Sequence, residues 1–238
     1  MKINPLMAPK SHFQQVLPDD FVDAGYCFTA LHWLQHPPRQ DTEESMALAI
    51  RASAHNDLVA FLSARHRELR PDGMLMLCIP GQGPVSTDAV LSCVTATARE
   101  LSATYSISES VVARLPVYFR TMDEILAAVS ASEGAWDVLQ SAAVPIPHPA
   151  RLDPTAERIC SSTGVDRFEE YAGVVAGFAM AALSGFLVAD ARANMGAGYP
   201  GDKEFVADFT DAYKRVFLWL YGCEKVGFTY LYVNLRRM

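Results

Sequence analysis

The chain has no CxxC pair, no stripe of Lys and Arg interleaved with aromatics, and no glycine-rich turn between an early strand and helix. Each absence excludes a class of protein. Its five cysteines, Cys27, Cys78, Cys93, Cys160 and Cys223, are odd in number and scattered, which argues against a disulfide frame or a zinc site and for reduced thiols in a cytoplasmic protein. The net charge of -7 is spread along the sequence, so the electrostatic footprint of a nucleic-acid binder is missing and small molecules or proteins are the expected partners. No continuous apolar stretch follows Lys2, unlike a secretory signal. Internal repeats, low-complexity linkers and a Ser, His and Asp nucleophilic constellation are also lacking, and no metal site is expected.

What is present is a globular composition: 238 residues, 50% of them apolar, enough to bury a core. Phe21–Ala30 reads as a buried strand. Asp41 is placed to cap a long helix through "EESMALAIRASAHNDLVAFLSARHREL", which "RPDG" should stop. Gly73–Pro80, "GMLMLCIP", is almost wholly apolar, the pattern of a strand covered on both faces. Strand, helix and strand make a βαβ unit with a right-handed crossover. Helices follow at Thr87–Thr104 and in "TMDEILAAVSA", where Thr121 and Glu124 have capping-box spacing. "AWDVLQSAAVPIP" is a strand, Val165–Met195 and Asp202–Tyr221 are helices, and Phe228–Arg237 closes the chain as an alternating strand. The fold class is α/β, a partial doubly wound, Rossmann-like sheet of four strands with helices inserted before the last. The expected divisions are an α/β core over 1–150, a helical cap over 151–225 and a returning strand over 226–238.

Two stretches raise questions. Tyr171–Ala191 has no charge before Asp190 and is formally long enough to span a bilayer, but its Gly and Ala content and mixed-sign flanks suit a buried helix at a subunit contact better. "PGQGP" at Pro80–Pro84 lacks the third glycine of a phosphate cradle and reads as a turn. "FTALHWLQHPP", Phe28–Pro38, sets an imidazole beside an indole at a strand end. On the residues alone His32 and Trp33 are ordinary structural groups there, with Gln35 and His36 as a polar extension. Trp136, Tyr118 and Phe119 read as packing, Trp219, Tyr221, Tyr230 and Tyr232 as core and interface, and Arg114 and Arg120 as surface charge by default, with contact to an acidic ligand as the alternative.

Three blocks then line up: "APKSHFQQVLPDDFVDAGYCFTALHWLQHPP", "DLVAFLSARHRELRPDGMLMLCIPG" and "LPVYFRTMDEILAAVSASEGAWDVLQ". Together they resemble the plant-type carboxyl methyltransferases, the SABATH family, from Ala8 onward. The resemblance implies a class I methyltransferase-like fold and transfer of a methyl group from S-adenosylmethionine (SAM) to a carboxylate or ring nitrogen. It implies that His32 and Trp33 offer ring N–H groups to the substrate carboxylate, that Phe28 flanks the pocket, whose polar end Gln35 would extend, and that Ser11 and His12 fall on the pair touching the adenosine. His12 stands where that family has Phe. The family's Gly-rich turn and ribose-binding acid have no counterpart, so the chain reads as an N-terminally truncated member without its SAM-binding half, hence with no cofactor unless that half is supplied.

Three functions follow. The preferred one is a SAM-independent cyclisation or isomerisation of an acidic or phenolic metabolite in the pocket of His32 and Trp33. The second is carboxyl or O-methyl transfer with SAM. The third is a non-catalytic partner of a complete methyltransferase. An unpaired apolar strand at Phe21–Ala30 adds the expectation of a homodimer.

Overall fold

The computed structural model describes residues 10–35, 37–38, 43–83, 88–107, 115–147, 165–221 and 226–238. Its elements are β1 (Val22–Phe28), α1 (Glu43–Glu68), β2 (Leu69–Gly81), α2 (Asp88–Tyr105), α3 (Met122–Ala131), β3 (Trp136–Pro147), α4 (Val165–Met195), α5 (Asp202–Tyr221) and β4 (Gly227–Arg237). A short 3-10 turn at Gly196–Gly198 separates α4 from α5. Apolar runs and periodicity therefore locate every main element. Asp41, the expected cap of α1, lies outside the described residues. The chain forms two compact units: Met1–Pro84 with Pro116–Val144 and Thr229–Met238, and Val85–Leu115 with Pro145–Phe228.

In the first unit the strands are ordered β1-β2-β4-β3. β1 runs parallel to β2, with Tyr26 opposite Met76 and Phe28 opposite Cys78. β2 runs antiparallel to β4, with Leu77 opposite Val233. Because strand side chains alternate, Leu75, Leu77, Val233 and Leu235 fall together. They pack with Leu58, Phe61 and Leu62 of α1 and Ile125, Ala128 and Val129 of α3 in one buried cluster. α3 starts as its spacing foretold: the Thr121 hydroxyl accepts from the Glu124 N–H while the Glu124 carboxylate accepts from the Thr121 N–H, a closed capping box.

The opposite face differs from expectation. Met74 and Met76 are 38% and 43% exposed, and Tyr26 and Phe28 beside them 75% and 50%, so this part of the apolar strand is covered on one side only, whereas Cys78 and Pro80, further along the same face, are buried. β2 also begins earlier than its apolar run, at Leu69. α1 ends at Glu68, just ahead of "RPDG" as expected, and the chain then bends inside β2: Asp72 has φ 63°, and a Cβ on Gly73 would stand 2.7 Å from the Arg70 carbonyl oxygen.

The second unit is helical. On α5, Phe205, Phe209, Tyr213, Val216 and Phe217 form its buried stripe. On α4, Ala172, Val175, Ala176, Ala179, Leu183 and Leu187 are buried. Small residues here let the two long helices approach. Arg215 pairs with Glu100 of α2 at 2.6 Å, and Tyr105 donates to Asp208. Among the described residues one helical stretch, Phe168–Gly198, is long and apolar enough to cross a membrane. Trp219, expected in a core or interface, is 80% exposed.

A carboxylate ties the N-terminal stretch to α1. Glu68, 3% exposed, accepts from the backbone N–H groups of Val16 at 2.5 Å and Leu17 at 3.1 Å and from Arg65 Nη2 at 2.8 Å. Replacing Glu68 by Ala should lower unfolding free energy by about 3 kcal/mol, since it strands two backbone donors and takes from Arg65 its carboxylate, leaving that guanidinium only carbonyl acceptors. Urea denaturation monitored by circular dichroism checks this.

Candidate functional site

The chain turns sharply where β1 ends. Thr29 takes φ 53° while its N–H still donates to the Cys78 carbonyl at 2.9 Å. Leu31 and Leu34, 1% and 6% exposed, then anchor the next segment. Those two leucines explain the L-H-W-L order: each buries itself, leaving His32 and Trp33 held between two fixed points. The backbone is fastened to a facing segment, with Leu34 N–H donating to Pro116 O and Tyr118 N–H to His32 O, both at 2.8 Å. Trp33 pairs with Val117 across the same bridge.

The His32 ring is packed between two aromatics. Its centroid lies 5.1 Å from that of Trp33 and 6.1 Å from that of Phe119, the latter nearly parallel at 7°. Burial, with the Arg120 guanidinium as second cause, pushes its pKa down to about 4. The imidazole is therefore neutral at physiological pH, with one N–H and one lone pair to offer. Its Nδ1 is buried without a hydrogen-bond partner among the described residues.

The second stretch singled out by sequence reaches the same helix. His12 packs on Phe13 at 4.1 Å and Phe61 at 6.3 Å. Its carbonyl accepts from Arg65 Nη1 at 3.0 Å. Its pKa is lowered by burial and then by Arg65, against an opposing pull from Asp57. Its Nε2, like Nδ1 of His32, is buried and unpartnered among the described residues. Ser11 accepts from Phe13 N–H at 3.4 Å. The Gln35 backbone N–H donates to Asp57 Oδ2 at 2.8 Å. Asp57, Phe61 and Arg65 stand four residues apart along one row of α1, so one helix face organises both Ser11–Phe13 and the segment after β1.

The structure thus groups His32 and Trp33 with Phe119, ties Gln35 through its backbone to Asp57, and places His12, next to Ser11, against the same helix row. Phe28 lies with Tyr26, ring centroids 5.3 Å apart, on the exposed sheet face. His36 and Arg114 lie outside the described residues. Sequence reasoning missed Asp57 and misjudged Arg120. Far from being surface charge, Arg120 is 1% exposed, its Nη1 donating to Leu31 O and its Nη2 to Ala54 O, the latter at 2.5 Å. The available signal was its position, directly before a capping box and after "VYF", where a solvated charge is out of pattern. Among the described residues no group of three His, Cys, Asp or Glu side chains is placed to hold a metal.

The depressed His32 pKa has a stability consequence. Its folded value lies below the unfolded 6.5, so the stabilisation is complete above pH 6.5 and is lost as pH falls from there towards 4, when the unfolded chain takes up the proton first. An NMR titration should find the His32 ring half-protonated near pH 4. The loss of stability across that window should be shallower in His32→Gln.

No family model matches the chain. Methyltransferase FUS9 of Gibberella moniliformis is 27% identical over 245 residues, covering 98% of this chain and 67% of that protein. Methyltransferase LUC1 of a Fusarium species is 27% identical over 249 residues, 99% of this chain and 68% of that protein. O-methyltransferase acrG of Aspergillus aculeatus is 29% identical over 250 residues, 97% of this chain and 67% of that protein. Among solved structures, loganic acid methyltransferase with SAH superposes with a TM-score of 0.68 at 18% identity, covering 97% of this chain and 65% of that one. The chain thus spans about two thirds of the length of the proteins it matches. Two expectations are corrected. The assignment to the plant-type carboxyl methyltransferases, as a member deprived of its SAM half, gives way to fungal methyltransferase relatives that match nearly the whole chain. The expectation of no cofactor, and with it the cyclase or isomerase reading, is at odds with methyltransferases as relatives and with a structural neighbour holding SAH. The fold is the Rossmann-like α/β fold of class I methyltransferases.

Proposed function

We propose that the chain serves SAM-dependent O-methyl transfer to the carboxylate of a small metabolite. The observation that carries this reading is the neutral, half-buried His32, with a buried ring nitrogen lacking a partner among the described residues, beside Trp33 just past the carboxyl end of β1. Ligands of open α/β sheets bind at that end of the strands.

The available residues suit one side of the cofactor. Half-exposed Phe28 offers a ring face for an adenine, and the Ser11 hydroxyl with the unpartnered His12 Nε2 offers polar groups for ribose hydroxyls. When bound, SAM supplies an electrophilic sulfonium methyl group. His32 donates its ring N–H to the acceptor oxygen, and Trp33, whose indole only donates, closes the other side. Neither adds a full positive charge, so the oxygen keeps its nucleophilicity.

The same low pKa selects the substrate class. An imidazole with a pKa near 4 is a poor general base at neutral pH. The acceptor must therefore arrive already ionised. A carboxylate meets that condition and a phenol, with a pKa of about 10, does not. Positioning against the methyl group then does the catalytic work. The expected metabolite is an acid rather than a phenol.

The full chain should be incubated with radiolabelled SAM and a panel of aromatic and aliphatic acids beside the matching phenols. Label should enter esters of the acids, with a rate that shows no titration near the ordinary histidine pKa of about 6.5. His32→Ala should lower kcat/KM by about tenfold or more, the scale of losing one hydrogen bond to a charged group. Absence of both SAH binding and transfer, or transfer indifferent to His32→Ala, would contradict the proposal.

A further inference from the structure

A cavity opens beside the segment that carries Phe119. It measures about 350 Å³ and is lined by α1, the segment before α3, and α3 itself, with Arg51, His55, Asn56, Tyr118, Arg120 and Glu124 as its polar residues and Leu48, Ala52 and Ala127 as apolar ones. All of these belong to the first compact unit. Its size falls at the lower end of small-molecule pockets.

Arg120 decides its chemistry. A guanidinium that is 1% exposed normally finds a carboxylate. Here both terminal nitrogens are spent on neutral carbonyls, Leu31 O and Ala54 O. Asp57 and Glu124 act on it through space without forming an ion pair with it. Its Nε has no hydrogen-bond partner among the described residues. Arg120 therefore sets a positive charge into the inner wall of the cavity, with its Nε–H buried just beneath, and neither is directly met by an anion among the described residues.

The one acid in the lining is already committed. Glu124 Oε1 accepts from Tyr118 Oη at 2.8 Å and pairs with Arg51 Nε at 2.7 Å, while Oε2 accepts from Thr121 N–H. These contacts hold its pKa below the usual carboxylate range against the opposing effect of burial. With Arg51, Arg120 and Glu124 counted, the lining carries a net charge of +1. The apolar residues give the remaining volume no polar claim. We propose that this cavity is a second ligand site, distinct from that of His32 and Trp33, for a small monocarboxylate with an apolar body. Its carboxylate is drawn to Arg120, and its body lies along Leu48, Ala52 and Ala127.

Occupation would be felt next door. Tyr118 and Arg120 line the cavity while Phe119 between them stacks on His32, and Arg120 also grips the carbonyl that precedes His32. The inference does not rest on methyl transfer and stands or falls separately.

Phenylacetate and its uncharged analogue phenylacetamide, titrated into the full chain without SAM, provide the test by two-dimensional NMR. Phenylacetate should shift the Asn56 and Tyr118 resonances saturably, and phenylacetamide should bind about tenfold more weakly or less well still. Arg120 variants risk misfolding, so the cavity is filled instead: Ala52→Leu and Ala127→Leu, at exposed helical positions, should each abolish the saturable shifts. His32→Ala should leave them in place. Equal binding of acid and amide, binding that survives both leucine variants, binding lost in His32→Ala, or no saturable shift at millimolar phenylacetate each overturns the proposal.

Discussion

Arg120 is the constraint on which the first unit's functional end depends. Its guanidinium reaches the carbonyl of Leu31, just after β1, and that of Ala54, inside α1, and its own residue leads directly into the Thr121 cap of α3. One side chain thereby fixes the exit of a strand, the middle of one helix and the start of another. Burying it is tolerable because each terminal nitrogen has an acceptor. Burial keeps the neighbouring His32 neutral and the same charge adds to that effect, so Arg120 bears on both the geometry and the protonation state of the candidate site.

The legible part of the sequence was the part governed by local rules. Apolar runs in β1, β2 and β4, the 3.6-residue period of α5 and the Thr121/Glu124 spacing report directly on backbone conformation, and those elements lie where the pattern puts them. His32 and Trp33 were also legible as neighbours at a strand end. Illegible was whatever depends on contacts between distant residues. Asp57 holds Gln35 across 22 positions, and Arg120 reaches Ala54 across 66. Neither residue differs in type from a surface charge, so composition and period could not place them, and only Arg120 carried a hint in its neighbours, "VYF" and the capping box. The apolar run of β2 misled for a related reason: a continuous hydrophobic stretch suggests two covered faces, yet Met74 and Met76 remain accessible.

Helix α1 joins these observations. Its row of Asp57, Phe61 and Arg65 receives Gln35, His12 and the carbonyls of His12 and Gln14 in turn, and Arg65 lies 5.1 Å over the Phe61 ring. Arg51, His55 and Asn56 of the same helix line the cavity. A single helix thus holds the candidate site's segments and lines the cavity from different faces, which is possible because 3.6 residues per turn spread successive side chains around the axis.

The short run from Val117 to Arg120 carries a further implication for how such proteins diversify. Alternation there sends one residue towards the imidazole and its two neighbours the opposite way. Side-chain identity can drift at each position with local effect, whereas inserting or deleting a single amino acid would exchange what the two compartments see. Length in this run is the conserved quantity to look for across any lineage that retains both compartments.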